Sequence, residues 1–99
     1  MANVSIRSYY GKSASAESIA KEVNVGPLTL YFSYTTVVGF HHASTGTVVR
    51  ENNWGPTTGK HLNAIDDGDK KSRVSAEVFM QKLQPLLDRL EWREDSTTE

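Results

Sequence analysis

Leu28-Thr29-Leu30-Tyr31-Phe32-Ser33-Tyr34-Thr35-Thr36-Val37-Val38-Gly39-Phe40 is the stretch that decides the fold. β-branched and aromatic residues dominate it, the types that suit a pleated, half-buried surface. Under a period of two, Leu28, Leu30, Phe32, Tyr34, Thr36, Val38 and Phe40 share one face. Thirteen residues are more than one strand usually holds. The segment therefore predicts a bend, a bulge, or two strands meeting near Ser33–Thr36.

The chain on either side completes the layout. Thr47 to Asn52 returns as a strand, with Gly46 ending the polar loop that starts at His41 and supplying the positive φ a hairpin needs. Upstream, Val4, Ile6, Ser8 and Tyr10 alternate with Ser5, Arg7 and Tyr9 as a first strand. Ala16, Ile19, Ala20 and Val23 fall at i, i+3, i+4 and i+7. They predict a short helix, capped by Ser13 or Ser15, with Glu17 in its first turn and Asn24 and Gly26-Pro27 at its end.

Downstream, Trp54-Gly55-Pro56 stops the return strand. Thr57 or Thr58 then caps a short helix to about Ile65, with Leu62 and Ile65 on its buried side. Asp66 to Lys71 is a charged turn. Ser75 is the N-cap of the last helix, with Glu77 in the first turn. Phe79, Leu83, Leu86, Leu87 and Leu90 form its apolar stripe. Pro85 lies within that stripe and predicts a kink, or a new helix starting near Gln84. Glu94 to Glu99 has no apolar anchor and reads as a disordered acidic tail. The fold class is α+β: a small antiparallel sheet packed by a C-terminal amphipathic helix. That helix is expected to bury Phe79, Leu83 and Leu87 against the Leu30/Phe32/Val38 face, in a single domain over residues 1–93.

Composition narrows the function classes. The chain has 99 residues, 37% hydrophobic and 23% charged, which is ordinary for one globular domain and leaves a small core that dimerisation could supplement. It has no cysteine, so no disulfide framework and no thiolate metal site. No apolar run approaches the roughly 18 residues of a membrane span. A net charge of -1 excludes a globally basic nucleic-acid binder. The charge is uneven: residues 1–73 carry eight Lys/Arg and six Asp/Glu, residues 74–99 three and six. A solvated acidic helix and tail account for that asymmetry.

Gly55-Pro56-Thr57-Thr58-Gly59-Lys60-His61 resembles a phosphate loop, but three residues separate its glycines and His61 follows the lysine, so it is not a Walker A motif. Two readings stand. Thr57 or Thr58 is only a cap and Gly59 only a tight turn, or the hydroxyls and Lys60 bind an anion at a helix N-terminus. His41, His42 and His61 have no ligand spacing for zinc and read as surface loop histidines. Asp66, Asp67 and Asp69 do not follow a calcium-loop pattern. No metal and no cofactor is expected. No nucleophile elbow is present, so no catalytic residue is assigned. Arg50 to Arg73 is the surface richest in cations, amides and hydroxyls, the groups that contact phosphates and bases. Trp54 within it reads first as a core anchor and second as a contact.

The block from Leu30 to Phe40, followed by Val48-Val49-Arg50-Glu51-Asn52-Asn53-Trp54 and Thr57-Thr58-Gly59-Lys60-His61-Leu62-Asn63, resembles a family of small uncharacterised proteins of bacteriophages and their hosts. Its pattern is a Ser-Tyr-x-Thr-x-Val-Ala strand, a return strand with a closing aromatic, and a Thr-Thr-Ser-Lys-His segment. Gly39 stands where alanine is usual and Gly59 where serine is usual. The resemblance covers Leu30 to Asn63 and the helix start from Arg73 to Phe79, and the first 25 residues fall outside it. It implies an accessory protein in the cytoplasm of a bacterial host cell and no chemistry.

The expected function is a non-enzymatic binding module for a phosphate-bearing ligand, nucleic acid or nucleotide, using Arg50, Trp54, Thr57, Thr58, Lys60 and His61. One alternative is a protein–protein inhibitor of a host enzyme or defence factor, acting through a sheet edge or the acidic helix. The other is a small hydrolase centred on His61. The further partner classes expected are a host protein and a second copy of the chain, and no membrane partner is expected.

Overall fold

The computed structural model of the chain describes residues 4–10 and 19–96, with side chains described as far as Arg89. Among the described residues, five strands run in chain order as an antiparallel meander: β1 (Val4–Ser8), β2 (Lys21–Val25), β3 (Leu28–Ser33), β4 (Thr36–His42) and β5 (Gly46–Val49). Two helices follow, α1 (Pro56–Asp66) and α2 (Ala76–Ser96), with one 3-10 turn at Lys70–Ser72 between them. The fold is α+β, with the C-terminal helix packed on the sheet.

The deciding stretch folds as two strands joined at Tyr34-Thr35, with Ser33 paired to Thr36. Tyr34 takes φ +59°, the left-handed region that favours glycine, at the first turn position. A bulge breaks the period of two. Tyr31 pairs with Gly39 and Phe32 with Val37, so Val38 is an extra residue on β4. The bulge corrects the expected face. Leu30, Phe40 and Val48 line up across the sheet and pack under α2. Val38 turns to the other side, where it packs with Val49 and Leu62 beneath α1. One run of apolar residues thus supplies both faces, and each face receives a helix.

The helix expected from Ala16 to Val23 is overturned at its C-terminal end; residues 16–18 lie outside the described residues. Lys21–Val25 is a strand, with Val23 opposite Ile6 and Leu30. Ile19 is helical, and only Val23, the i+7 member of that spacing, falls in the strand, where it and Val25 fit a period of two. Two β-branched residues beside a Gly26 turn at φ +59° favour the hairpin.

Helix α2 starts as its sequence predicts, with the Val78 amide donating to Ser75 Oγ at 3.3 Å. Phe79, Leu83 and Leu86 are buried against Leu28, Phe40 and Val48, and Leu87 packs at the margin. Each such side chain contributes about 1.5–3 kcal/mol of burial. The helix continues through Pro85, so no second helix begins near Gln84. Helical backbone reaches Ser96, and residues 97–99 lie outside the described residues.

Candidate functional site

Helix α1 divides the predicted site into two. Its N-cap is Gly55, with Pro56 in the first turn and no side-chain cap, so neither threonine is the cap. Proline fits there because its missing amide would be unpaired anyway. Starting the helix at Pro56 puts Thr58, His61, Leu62 and Ile65 at i, i+3, i+4 and i+7, facing the sheet. Thr57, Lys60 and Asn63 face outward.

The inward half is a buried polar cluster. Ser33 Oγ lies 2.8 Å from His61 Nδ1 and 3.1 Å from Thr58 Oγ1, hydrogen-bonded to both. Ser33 is 3% exposed and His61 fully buried, which corrects the surface-histidine reading. The His61 ring packs against Tyr9, Tyr10 and Tyr34, with centroids 6.1, 5.3 and 6.2 Å away. Its Nε2 has no hydrogen-bond partner among the described residues. Burial lowers the His61 pKa below its ordinary value and keeps the ring neutral. Tyr9 is fixed by donating its hydroxyl to the Phe32 carbonyl at 2.8 Å, and burial pushes its phenol up. Ser33, Tyr9, Tyr10 and Tyr34 are the residues sequence reasoning missed. Serine and tyrosine at these positions fit strand alternation equally well facing water, and no local spacing pairs Ser33 with a histidine 28 residues away.

The outward half is an open cleft of about 410 Å³, lined by Glu51, Asn52, Lys60, Asn63, Lys70 and Arg73. Arg73 is committed within the molecule. Its Nε donates to Asp66 Oδ2 at 2.7 Å, and one Nη donates to Asn63 Oδ1 at 3.0 Å. Burial alone would raise the Asp66 carboxyl; the Arg73 guanidinium outweighs it and holds the carboxyl below its ordinary range. Lys60 and Lys70 make no ion pair among the described residues.

Trp54 and Arg50 flank the cleft without lining it. Trp54 is 45% exposed, which corrects the core-anchor reading. The Arg50 guanidinium carbon sits 4.6 Å from the indole centroid, a cation–π contact, and Arg50 Nη2 donates to Asn53 Oδ1 at 3.1 Å. Asn52 links the two features, since its Oδ1 accepts from the Trp54 amide at 2.9 Å while its side chain borders the cleft. Thr57 is exposed beside it. The structure thus keeps Trp54, Thr57 and Lys60 on the surface, leaves Arg50 half-buried, and moves Thr58 and His61 into the interior.

The fold and this surface define a small α+β protein with a polar, partly cationic cleft beside an exposed indole. By its sequence the chain belongs to a family of unknown function, DUF8033, whose model matches residues 4–81. No curated protein and no solved structure matches it. The two glycines that depart from the expected pattern differ in their surroundings. A Cβ at Gly39 would sit 3.4 Å from the Val48 carbonyl oxygen and 3.5 Å from Ile65, ordinary contact distances. A Cβ at Gly59 would lie 3.1 Å from Asn52 Nδ2, so Asn52 would have to shift.

Proposed function

We propose that the chain is a non-enzymatic binding module that takes a phosphate-bearing ligand, nucleic acid or nucleotide, across the α1 cleft. The observation that carries this reading is the placement of Lys60 and Lys70, both outside any described ion pair, with Asn52 and Asn63 around one cleft beside Trp54. Phosphate meets two ammonium groups and two amides there. An unpaired base would stack on the Trp54 indole, which is 45% exposed. The acidic character of the whole chain does not oppose this, because binding depends on local potential more than on net charge. The setting that fits is an accessory protein of a bacteriophage, acting within its bacterial host.

The hydrolase alternative gains no support from the Ser33–His61 pair. A nucleophilic serine needs a reachable hydroxyl, and Ser33 is sealed beneath α1.

The test is fluorescence anisotropy with a labelled single-stranded oligonucleotide over a salt series. Binding should weaken steeply as salt rises through counterion release. Lys60→Ala and Lys70→Ala should each reduce both the affinity and the salt slope. Affinity that ignores salt, or that survives both substitutions, would transfer the reading to a protein partner.

A further inference from the structure

The two edges of the sheet are treated differently. Beyond β5, the Val74 segment continues the pairing: the Val74 amide donates to the Val49 carbonyl at 2.9 Å and the Glu51 amide to the Val74 carbonyl at 2.8 Å. At the other edge, β1 pairs only with β2 among the described residues. Natural edges are normally blunted by lysine, proline or a bulge. Strand β1 has none of these. Its one charge, Arg7, is turned to the opposite face from Val4 and Ile6 and is held by Glu22 at 3.0 Å.

Val4 and Ile6 are 62% and 63% exposed. They are not isolated. Ile6 lies opposite Val23, which lies opposite Leu30, Phe40 and Val48 in turn, and the last three are packed under α2. The apolar row of the α2 face therefore runs two strands beyond the helix that covers it.

The backbone of β1 also selects a register. The Tyr9 amide donates to the Ala20 carbonyl, so Tyr9, Arg7 and Ser5 direct their hydrogen-bonding groups at β2. Val4, Ile6 and Ser8 direct theirs at the edge that no described strand pairs with. We infer that β1 is the pairing edge of a twofold dimer, in which β1 meets β1 of a second copy antiparallel with Ile6 on the axis. Ile6 then faces Ile6, and Val4 faces Ser8. Three facing pairs supply six hydrogen bonds, two from each pair. The apolar side chains of both copies stay on one face, and Arg7 falls opposite the neutral Ser5, so no like charges meet. Centring the axis on Ser5 instead would use only Val4 and Ile6, with four bonds. The match of this strand to its own reverse is what favours a second copy over a foreign strand, and it closes as a ring of two. Two five-residue strands bury an area at the low end for specific interfaces, so the dimer is weak and depends on concentration.

Sedimentation of the full chain should show one copy at micromolar and two at millimolar concentration. Ile6→Lys places like charges opposite each other and should weaken dimerisation by about tenfold or more, with the circular dichroism spectrum unchanged. The chain has no cysteine, so disulfide trapping reads the register directly. Under mild oxidation Ile6→Cys should form a covalent dimer, because facing Cα atoms of an antiparallel pair lie about 5.5 Å apart. Arg7→Cys should remain single. A chain that stays monomeric at millimolar concentration overturns the inference, as does an Ile6→Cys variant that traps no faster than Arg7→Cys. The first of these results would leave the edge to a strand of another protein.

Discussion

The two faces of the sheet are held by different physics. Under α2, Phe79, Leu83 and Leu86 meet Leu28, Phe40 and Val48, and the Phe40 and Phe79 rings make an edge contact at 5.3 Å. Under α1, a small apolar group of Val38, Val49 and Leu62 lies alongside the hydrogen-bonded Ser33, Thr58 and His61. The α2 face gains its stability from burial, which is roughly proportional to area and tolerant of detail. The α1 face gains position, because each polar group there depends on a particular partner. The orientation of α1, whose outer face borders the cleft, is thereby fixed by directional bonds.

The sharpest way to break this contrast is to remove volume from the α2 face. Leu83→Ala should cost on the order of 2–5 kcal/mol, because Leu83 is fully enclosed and the pocket it leaves has packed walls. Urea denaturation measures it. A loss below about 0.5 kcal/mol would place that helix face in solvent and remove the burial side of the comparison.

Ser33→Ala tests the other face and should have a smaller effect, about 1–3 kcal/mol. The substitution removes almost no volume. Its cost comes from leaving His61 Nδ1 without a partner inside the protein. Thr58→Val, which keeps the shape and deletes the hydroxyl, should couple to it, because both act through the Ser33 oxygen. Additive losses in the double variant would show that the two bonds are independent and that no cluster exists.

These two faces also differ in how far the sequence revealed them. The α2 stripe was legible because Phe79, Leu83 and Leu86 repeat at helical spacing and have no other use. The hairpin at Tyr34 was legible as an over-long strand. The assignment of Val38 was not, since a single bulge residue reverses the face and leaves no mark on the pattern of types. Lys21–Val25 was misread because five residues satisfy either period, and only its partners at Ile6 and Leu30 decide. In the site, Lys60 and Trp54 could be nominated from chemistry alone. That Thr58 and His61 turn inward depended on the helix starting at Pro56, one residue before the threonine expected to cap it.

A third test uses pH. Burial holds the folded His61 pKa below its ordinary 6.5. On acidification, the unfolded chain therefore takes up this proton before the folded one does. The His61 contribution is complete above pH 6.5 and declines as pH falls from there toward the lower folded value. Asp66, held down by Arg73, adds its own loss only in the more acidic range below 3.8. Urea midpoints followed from about pH 8 to about pH 5 should fall for the native chain and fall less for His61→Gln. Equal slopes would mean that His61 is open to water in the folded state.

The smallest stability effect is expected one residue away, and it is the most telling for the division of α1. Lys60 follows Gly59 and precedes the fully buried His61, yet it faces the cleft and makes no described ion pair. Alanine is at least as good a helix former as lysine, so Lys60→Ala should change the unfolding free energy by no more than about 0.5 kcal/mol. Binding should respond differently, because the ammonium group is one of the two free cations that line the cleft among the described residues. The informative result is the pair of measurements on one variant: a melting curve that overlays the native one, and an oligonucleotide titration that shifts. If the melting curve moves instead, the lysine stem is packing against the helix surface. The division of α1 into an outward cleft-lining face and an inward anchoring face would then fail at the residue that defines it.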